Sequence, residues 1–265
     1  MIEIRFDTIR LGQFGGIIMP TSLHFIVGLR FIAGLSLAAA VGLPALAVAR
    51  PVTLVPCRTH DEAQEKSDFD AMRPRPRFGS PEAVQQLPAL EAALAHAPDV
   101  PSQPEICGAE IHVYGSYLVK AADEIMAVQQ YLKDHPELGA KTVVDKGELP
   151  YASLATFIGL VKSEQKDYAG ALAAADKGLL NDPENPTLTD IKAESLYQLD
   201  RNDEALKTVD AYLTAYGDDP ELENTPHTTL LGTKSRILKK LGRDADAAAV
   251  DKEVDAYRHA RPAKS

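Results

Sequence analysis

Residues 167–186 read DYAGALAAADKGLLNDPENP, and residues 202–221 read NDEALKTVDAYLTAYGDDPE. Both open on polar, acidic sequence, carry an Ala-Leu pair early (Ala171-Leu172, Ala205-Leu206) and stop at an Asp-Pro corner. Ala171 and Ala205 stand 34 residues apart. Segments alike at a fixed period are the mark of a repeat, and a period of this size is that of paired helices. The alanines then have a physical reading. Small residues are needed where two helices cross closely, because a larger side chain there forces the backbones apart. Proline stops a helix by lacking an N–H and by restricting the residue before it.

The neighbouring sequence extends the pattern. The first unit runs over about 151–184 and shows Gly159, Asp167-Tyr168, Ala171 and Pro183, with Leu154, Phe157, Ile158 and Val161 turned inward. Gly178 stands where its second helix usually carries a small packing residue. The second unit, about 185–221, shows Ala193, Leu196, Asp203-Glu204-Ala205-Leu206 and Pro220. The third, about 227–260, shows Ser235, Leu238, Leu241-Gly242-Arg243 and Ala247. Ala205 and Ala247 are 42 residues apart, so eight extra residues fall around Gly217–His227. Residues 119–136 resemble the second helix of a degenerate earlier unit.

On these residues the chain resembles the tetratricopeptide repeat family. The resemblance covers roughly half of it. It implies an all-α fold, a right-handed superhelix of three to four helix pairs over 108–262, with a groove lined by the first helix of each pair. In that family the groove binds a peptide or a partner helix. The positions that carry over are Asp190, Glu194, Tyr197 and Gln198 in the second unit, and Arg236, Lys239 and Lys240 in the third. Such a groove is acidic at one end and basic at the other. It suits a peptide with segregated charge, or the chain's own basic C-terminal segment, Arg258 to Lys264. The family's clamp for a C-terminal carboxylate is not expected, because its positions hold Ala155 or Thr156 and Gly159 or Leu160.

The N-terminus reads as an address. Residues 31–49, FIAGLSLAAAVGLPALAVA, carry no charge, follow Arg30 and end in Ala47-Val48-Ala49. A basic flank, an apolar core and a small-x-small end describe a cleaved signal peptide over 1–49. An uncleaved anchor is the alternative, and the mature form is otherwise expected off the membrane. Glu3 and Asp7 are unusual in such a leader, so Met19 is the better candidate for the true start. The body is thereby exported, periplasmic or secreted.

Two cysteines follow, Cys57 and Cys107. In an oxidising compartment the simplest state of an isolated pair is a disulfide. Residues 50–107 are polar and proline-rich, and read as an extended, partly disordered segment with one short helix at 83–97, in which Pro88 belongs near the helix start.

The net charge is −10. An acidic body excludes nucleic acid, since phosphate contact needs a basic face. No metalloprotease, serine-hydrolase or phosphate-loop motif occurs. His60, Asp61, Asp68 and Asp70 lie in a polar stretch without ligand spacing, so neither metal nor cofactor is expected. The sequence thus points to a non-enzymatic scaffold for a protein or peptide partner. The alternative is an envelope enzyme or accessory subunit with a site before residue 117, which predicts a deep pocket with converging polar groups.

Overall fold

The computed structural model describes residues 52–58, 61–73, 76–100, 102–117, 121–217 and 224–260. The leader over 1–49 and the Met19 start lie outside the described residues. So do residues 261–265 of the basic C-terminal segment and most of the 217–227 insertion.

The chain begins with a short strand, β1 (Val55–Pro56), and two helices, α1 (Glu62–Ala71) and α2 (Pro81–Leu94). Strands β2 (Glu105–Cys107) and β3 (Glu110–Gly115), helix α3 (Ala121–Asp134) and strand β4 (Thr142–Glu148) follow. Six helices complete it: α4 (Tyr151–Glu164), α5 (Tyr168–Asn181), α6 (Pro186–Gln198), α7 (Asn202–Tyr216), α8 (Asn224–Lys240) and α9 (Asp244–Ala260).

The molecule is mostly helical, but it also holds a four-stranded sheet of order β1-β2-β3-β4 that the all-α reading lacked. The sheet pairs β1 with β2 in parallel, β2 with β3 antiparallel, and β3 with β4 in parallel. Helix α3 is the crossover between β3 and β4. It was expected as half of a degenerate repeat; instead it packs on the sheet, where Val128 joins Ile111 and Val113 in a small separate core.

Residues 50–107 are more ordered than expected. Helix α1 starts at Asp61, whose side chain accepts from the Gln64 N–H, and α2 starts at Ser80, whose hydroxyl accepts from the Ala83 N–H. Hydroxyl and carboxylate caps of this kind satisfy N–H groups that a helix leaves unpaired. Pro88 lies inside α2 rather than near its start. Its missing N–H leaves the Val84 carbonyl without a helical donor, and Val84 faces solvent, so water takes its place. Cys57 and Cys107 form a disulfide with Cα atoms 4.7 Å apart, tying the end of β1 to β2.

From Tyr151 onward the chain forms three consecutive helix pairs: α4 with α5, α6 with α7, α8 with α9. The same backbone corner joins the helices of each pair. Lys166, Asp200 and Gly242 sit at φ of 63°, 60° and 71°. In each case the corner residue's N–H bonds the carbonyl three residues back, and the next N–H bonds the carbonyl five back: Lys166 to Ser163 and Asp167 to Lys162, Asp200 to Tyr197 and Arg201 to Leu196, Gly242 to Lys239 and Arg243 to Leu238. This is the Schellman pattern, which ends a helix with a left-handed residue. Five residues beyond each corner stands a fully buried alanine: Ala171, Ala205 and Ala247. Ala193 and Ser235 are buried in the matching first helices. The corners and the alanines share the 34- and 42-residue offsets, so the sequence period is a period of structure.

Close approach is most marked at Gly178 and Gly159. A Cβ on Gly178 would lie 2.5 Å from the Ala155 Cβ and 2.8 Å from Leu188 Cδ1, and one on Gly159 would lie 2.9 Å from Ile191 Cγ2. Helices α4, α5 and α6 therefore meet at glycine contacts. Leu154, Phe157, Ile158 and Val161 are buried there, joined by Leu87, Leu90 and Leu94 of α2, which lies along α4. A second core links α6 to α9.

Candidate functional site

The groove residues carried over from the repeat pattern fall on the facing sides of α6 and α8. Asp190 accepts a hydrogen bond from Thr233 Oγ1 at 2.7 Å. Arg236 donates to the same hydroxyl at 3.0 Å and pairs with Glu194 at 2.8 Å. Glu194 also accepts from Gln198 Nε2 at 2.7 Å. The Tyr197 ring takes two cations, Arg236 at 5.8 Å and the Lys240 ammonium at 4.4 Å from its centroid. Lys240 further reaches Asp200 at 2.6 Å. Lys239 stands apart, on Asp251 of α9 at 2.9 Å.

Six of the seven residues thus converge, and their charges pair rather than segregate. The expected groove with an acidic end and a basic end is not what the geometry shows. The reason lies in the repeat. Glu194 and Arg236 are 42 residues apart, the offset between the second and third units. Equivalent positions of neighbouring units lie side by side, so opposite charges at equivalent positions meet. Burial pushes the Asp190 carboxyl above its ordinary value, opposed by the Thr233 hydrogen bond and the Arg236 charge.

A second cluster lies where the sheet region meets the first two helix pairs. Asp182, in the corner between α5 and α6, is 6% exposed. Its Oδ2 accepts from the Tyr117 N–H at 3.2 Å and from Asn185 Nδ2 at 3.1 Å. Asn185 caps α6, its Oδ1 accepting from the N–H groups of Thr187 and Leu188 at 3.1 Å. Asn181, 3% exposed, donates through Nδ2 to the carbonyls of Pro98 and Val100 at 2.6 and 3.2 Å. Asn181 Oδ1 and Asp182 Oδ1 accept no hydrogen bond of ordinary geometry. The Asp182 carboxyl is raised from its usual value, chiefly by burial.

These groups border a cavity of about 170 Å³ that also meets Ser102, Ser116, Glu148 and Ser153. A second cavity of about 280 Å³ shares Tyr117, Ser153 and Asn185 with it and is walled by Met72, Phe78 and Phe157. The Phe78 and Phe157 rings stack at 5.0 Å, with Phe78 about half exposed. One compartment is polar and acidic, the adjoining one aromatic. The sequence hid this site because its members come from four separate stretches. The only local signal was Asn181-Asp182, read as a helix stop.

The remaining polar groups of the N-terminal region are structural. Asp61 caps α1 and Asp70 pairs with Lys66. Asp68 is buried and accepts from Gln64, from His96 Nδ1 at 3.0 Å and from the Tyr151 hydroxyl at 3.3 Å, pinning α1 to α2 and α4. His60 lies outside the described residues. Among the described residues, Cys57, Glu105 and Cys107 are close enough together to hold a metal, but both sulfurs are in the disulfide and Glu105 pairs with Arg58.

No family model matches the chain, and neither a curated protein nor a solved structure shows significant similarity to it.

Proposed function

We propose that the chain is an exported, non-enzymatic scaffold of the tetratricopeptide type. Its helix pairs stack as a short superhelix, and the face formed by α4, α6 and α8 holds a protein or peptide partner in the cell envelope. The observation that carries this reading is the corner repeated at Lys166, Asp200 and Gly242, with a buried alanine five residues after each. Identical corners give successive pairs the same geometry, and such stacks present one continuous face built from their first helices. The disulfide between Cys57 and Cys107 supports a site of action outside the reducing cytosol. The apolar leader over 31–49 supports export, with a mature chain beginning near Arg50.

Charge pairing along α6 and α8 shapes the kind of partner. A strip whose charges already neutralise one another attracts no strongly charged ligand from a distance. It favours a partner that docks by shape and by exchange of hydrogen bonds with Gln198 and Tyr197. The test is site-specific photocrosslinking in intact cells. A crosslinkable residue replacing Gln198 is expected to capture a discrete partner, and one replacing Lys252 on α9, an exposed position, is not. Capture from both positions alike, or from neither, refutes the reading. N-terminal sequencing of the exported fraction checks the mature start.

A further inference from the structure

We propose that the two-part cavity at the junction of Ser116-Tyr117 with the α5–α6 corner binds an organic cation: a primary ammonium carried on an aromatic or apolar arm. This goes beyond the scaffold reading and does not depend on whether the α4–α6–α8 face also holds a protein.

The charge balance sets the sign of the ligand. Asp182 and Glu148 border the polar compartment, and no lysine or arginine does so among the described residues. Glu184 lies just behind, accepting from the Ser116 hydroxyl at 3.1 Å. Acidic residues alone do not make a site. Here two buried side chains also keep acceptor atoms in reserve. Asn181 and Asp182 are more than nine-tenths buried, and each holds one oxygen that no donor fills. The Glu184 N–H contributes only weakly to Asp182. A buried acceptor without a donor is costly, and a buried carboxylate without a cation more so. An ammonium offers three N–H donors and no acceptor, which matches a group of vacant oxygens and hydroxyls.

The adjoining compartment sets the rest of the molecule. Phe78, Phe157 and Met72 wall it, and Tyr117 lies where the two cavities meet. Phe78 is half exposed although it stacks on Phe157, so the shelf is accessible from outside. An aromatic arm adds ring–ring contact there, and the Tyr117 ring face adds attraction for the cation. The ammonium then sits by Asp182 and its arm lies over Phe78 and Phe157. The same chemistry arrives either as a free arylalkyl amine or as a lysine beside an aromatic residue in a peptide.

Titration calorimetry of the purified protein with three probes tests this: phenethylamine, phenethyl alcohol and the capped peptide Ala-Phe-Lys-Ala. Phenethylamine is expected to bind about tenfold more tightly than the alcohol, which lacks the charge. Asp182→Asn is expected to lower amine affinity by about tenfold, and Phe78→Ala by several-fold for amine and alcohol alike. Tighter binding of the peptide than of the amine identifies a chain as the source, and the reverse identifies a free amine. The proposal is overturned if neither cationic probe binds, if amine and alcohol bind equally, or if a folded Asp182→Asn protein binds as the parent does. Should that variant fail to fold, Glu148→Gln replaces it. Loss of this exposed carboxylate is expected to weaken amine binding several-fold, and unchanged binding overturns the proposal equally.

Discussion

Gly178→Ala and Gly232→Ala are the same chemical change in two helices, and they are expected to move stability in opposite directions. Alanine is the better helix former by about 1 kcal/mol. In α8, a Cβ on Gly232 meets nothing within 4 Å, so the variant should keep most of that gain, roughly 0.5–1 kcal/mol. In α5, a Cβ on Gly178 would lie 2.5 Å from Ala155 Cβ and 2.8 Å from Leu188 Cδ1. Ordinary carbon contacts are about 3.5–4 Å. The Ala155 atom is a Cβ fixed to the α4 backbone and cannot rotate away, so α4 and α5 must separate by about 1 Å. Overpacking of this kind costs about 1–3 kcal/mol, and two neighbours are struck at once, which favours the upper end. Against a propensity gain of about 1 kcal/mol, the net loss is about 2 kcal/mol. In a chain of this size that lowers the melting temperature by roughly 4–8 °C. Urea unfolding followed by circular dichroism should show the midpoint falling for Gly178→Ala and rising for Gly232→Ala, each at unchanged slope. If Gly178→Ala is as stabilising as Gly232→Ala, the first two helix pairs do not cross where the structure puts them.

Further outcomes are expected elsewhere. Lys166→Gly and Asp200→Gly place glycine at left-handed corners, so each should raise stability by about 0.5–1 kcal/mol in the same urea assay, whereas Gly242→Ala should lower it by about 1 kcal/mol. Asp190→Asn keeps an acceptor for Thr233 but removes a charge that burial disfavours. Because the folded carboxyl is raised, the parent carries a penalty at neutral pH that disappears as pH falls through the raised value toward the unfolded one. The variant should therefore be the more stable near pH 7, with its advantage vanishing at acid pH; melting curves across that range will show whether the two lines converge. Reducing the disulfide should cost about 2–4 kcal/mol, and thiol titration of the unfolded, unreduced protein should find no free thiol.

The helix pairs were legible because their signals are local. Leu154, Phe157, Ile158 and Val161 recur at helical spacing, and Ala171, Ala205 and Ala247 mark each second helix. The N-terminal region was not, for three physical reasons. Helix α1 buries only a charged residue, Asp68, so apolar periodicity has nothing to report. Strands β1 and β2 are two and three residues long, shorter than any alternation that a pattern can reveal. Helix α3 has an ordinary amphipathic sequence, and whether it packs on a helix or on a sheet depends on partners far along the chain. The charge-paired seam was half legible. Its residues were identified, but their pairing follows from which repeat positions lie side by side.

The sheet's two outer edges share a property that matters for a chain folding after export, among other unfolded chains. An open strand edge is a template for pairing with a neighbour, and so a route to aggregation. At one edge β1 spans only two residues, and its Pro56 has no N–H to offer. At the other, β4 carries Asp145, Lys146 and Glu148, and Gly147 at a φ of 73° donates back to Asp145 at 2.7 Å, where the register with β3 shifts. Lys146 is further held by Glu62. A foreign strand would find no run of free donors at the first edge and a kinked, charged one at the second. The sheet is thereby closed to growth while remaining open in topology.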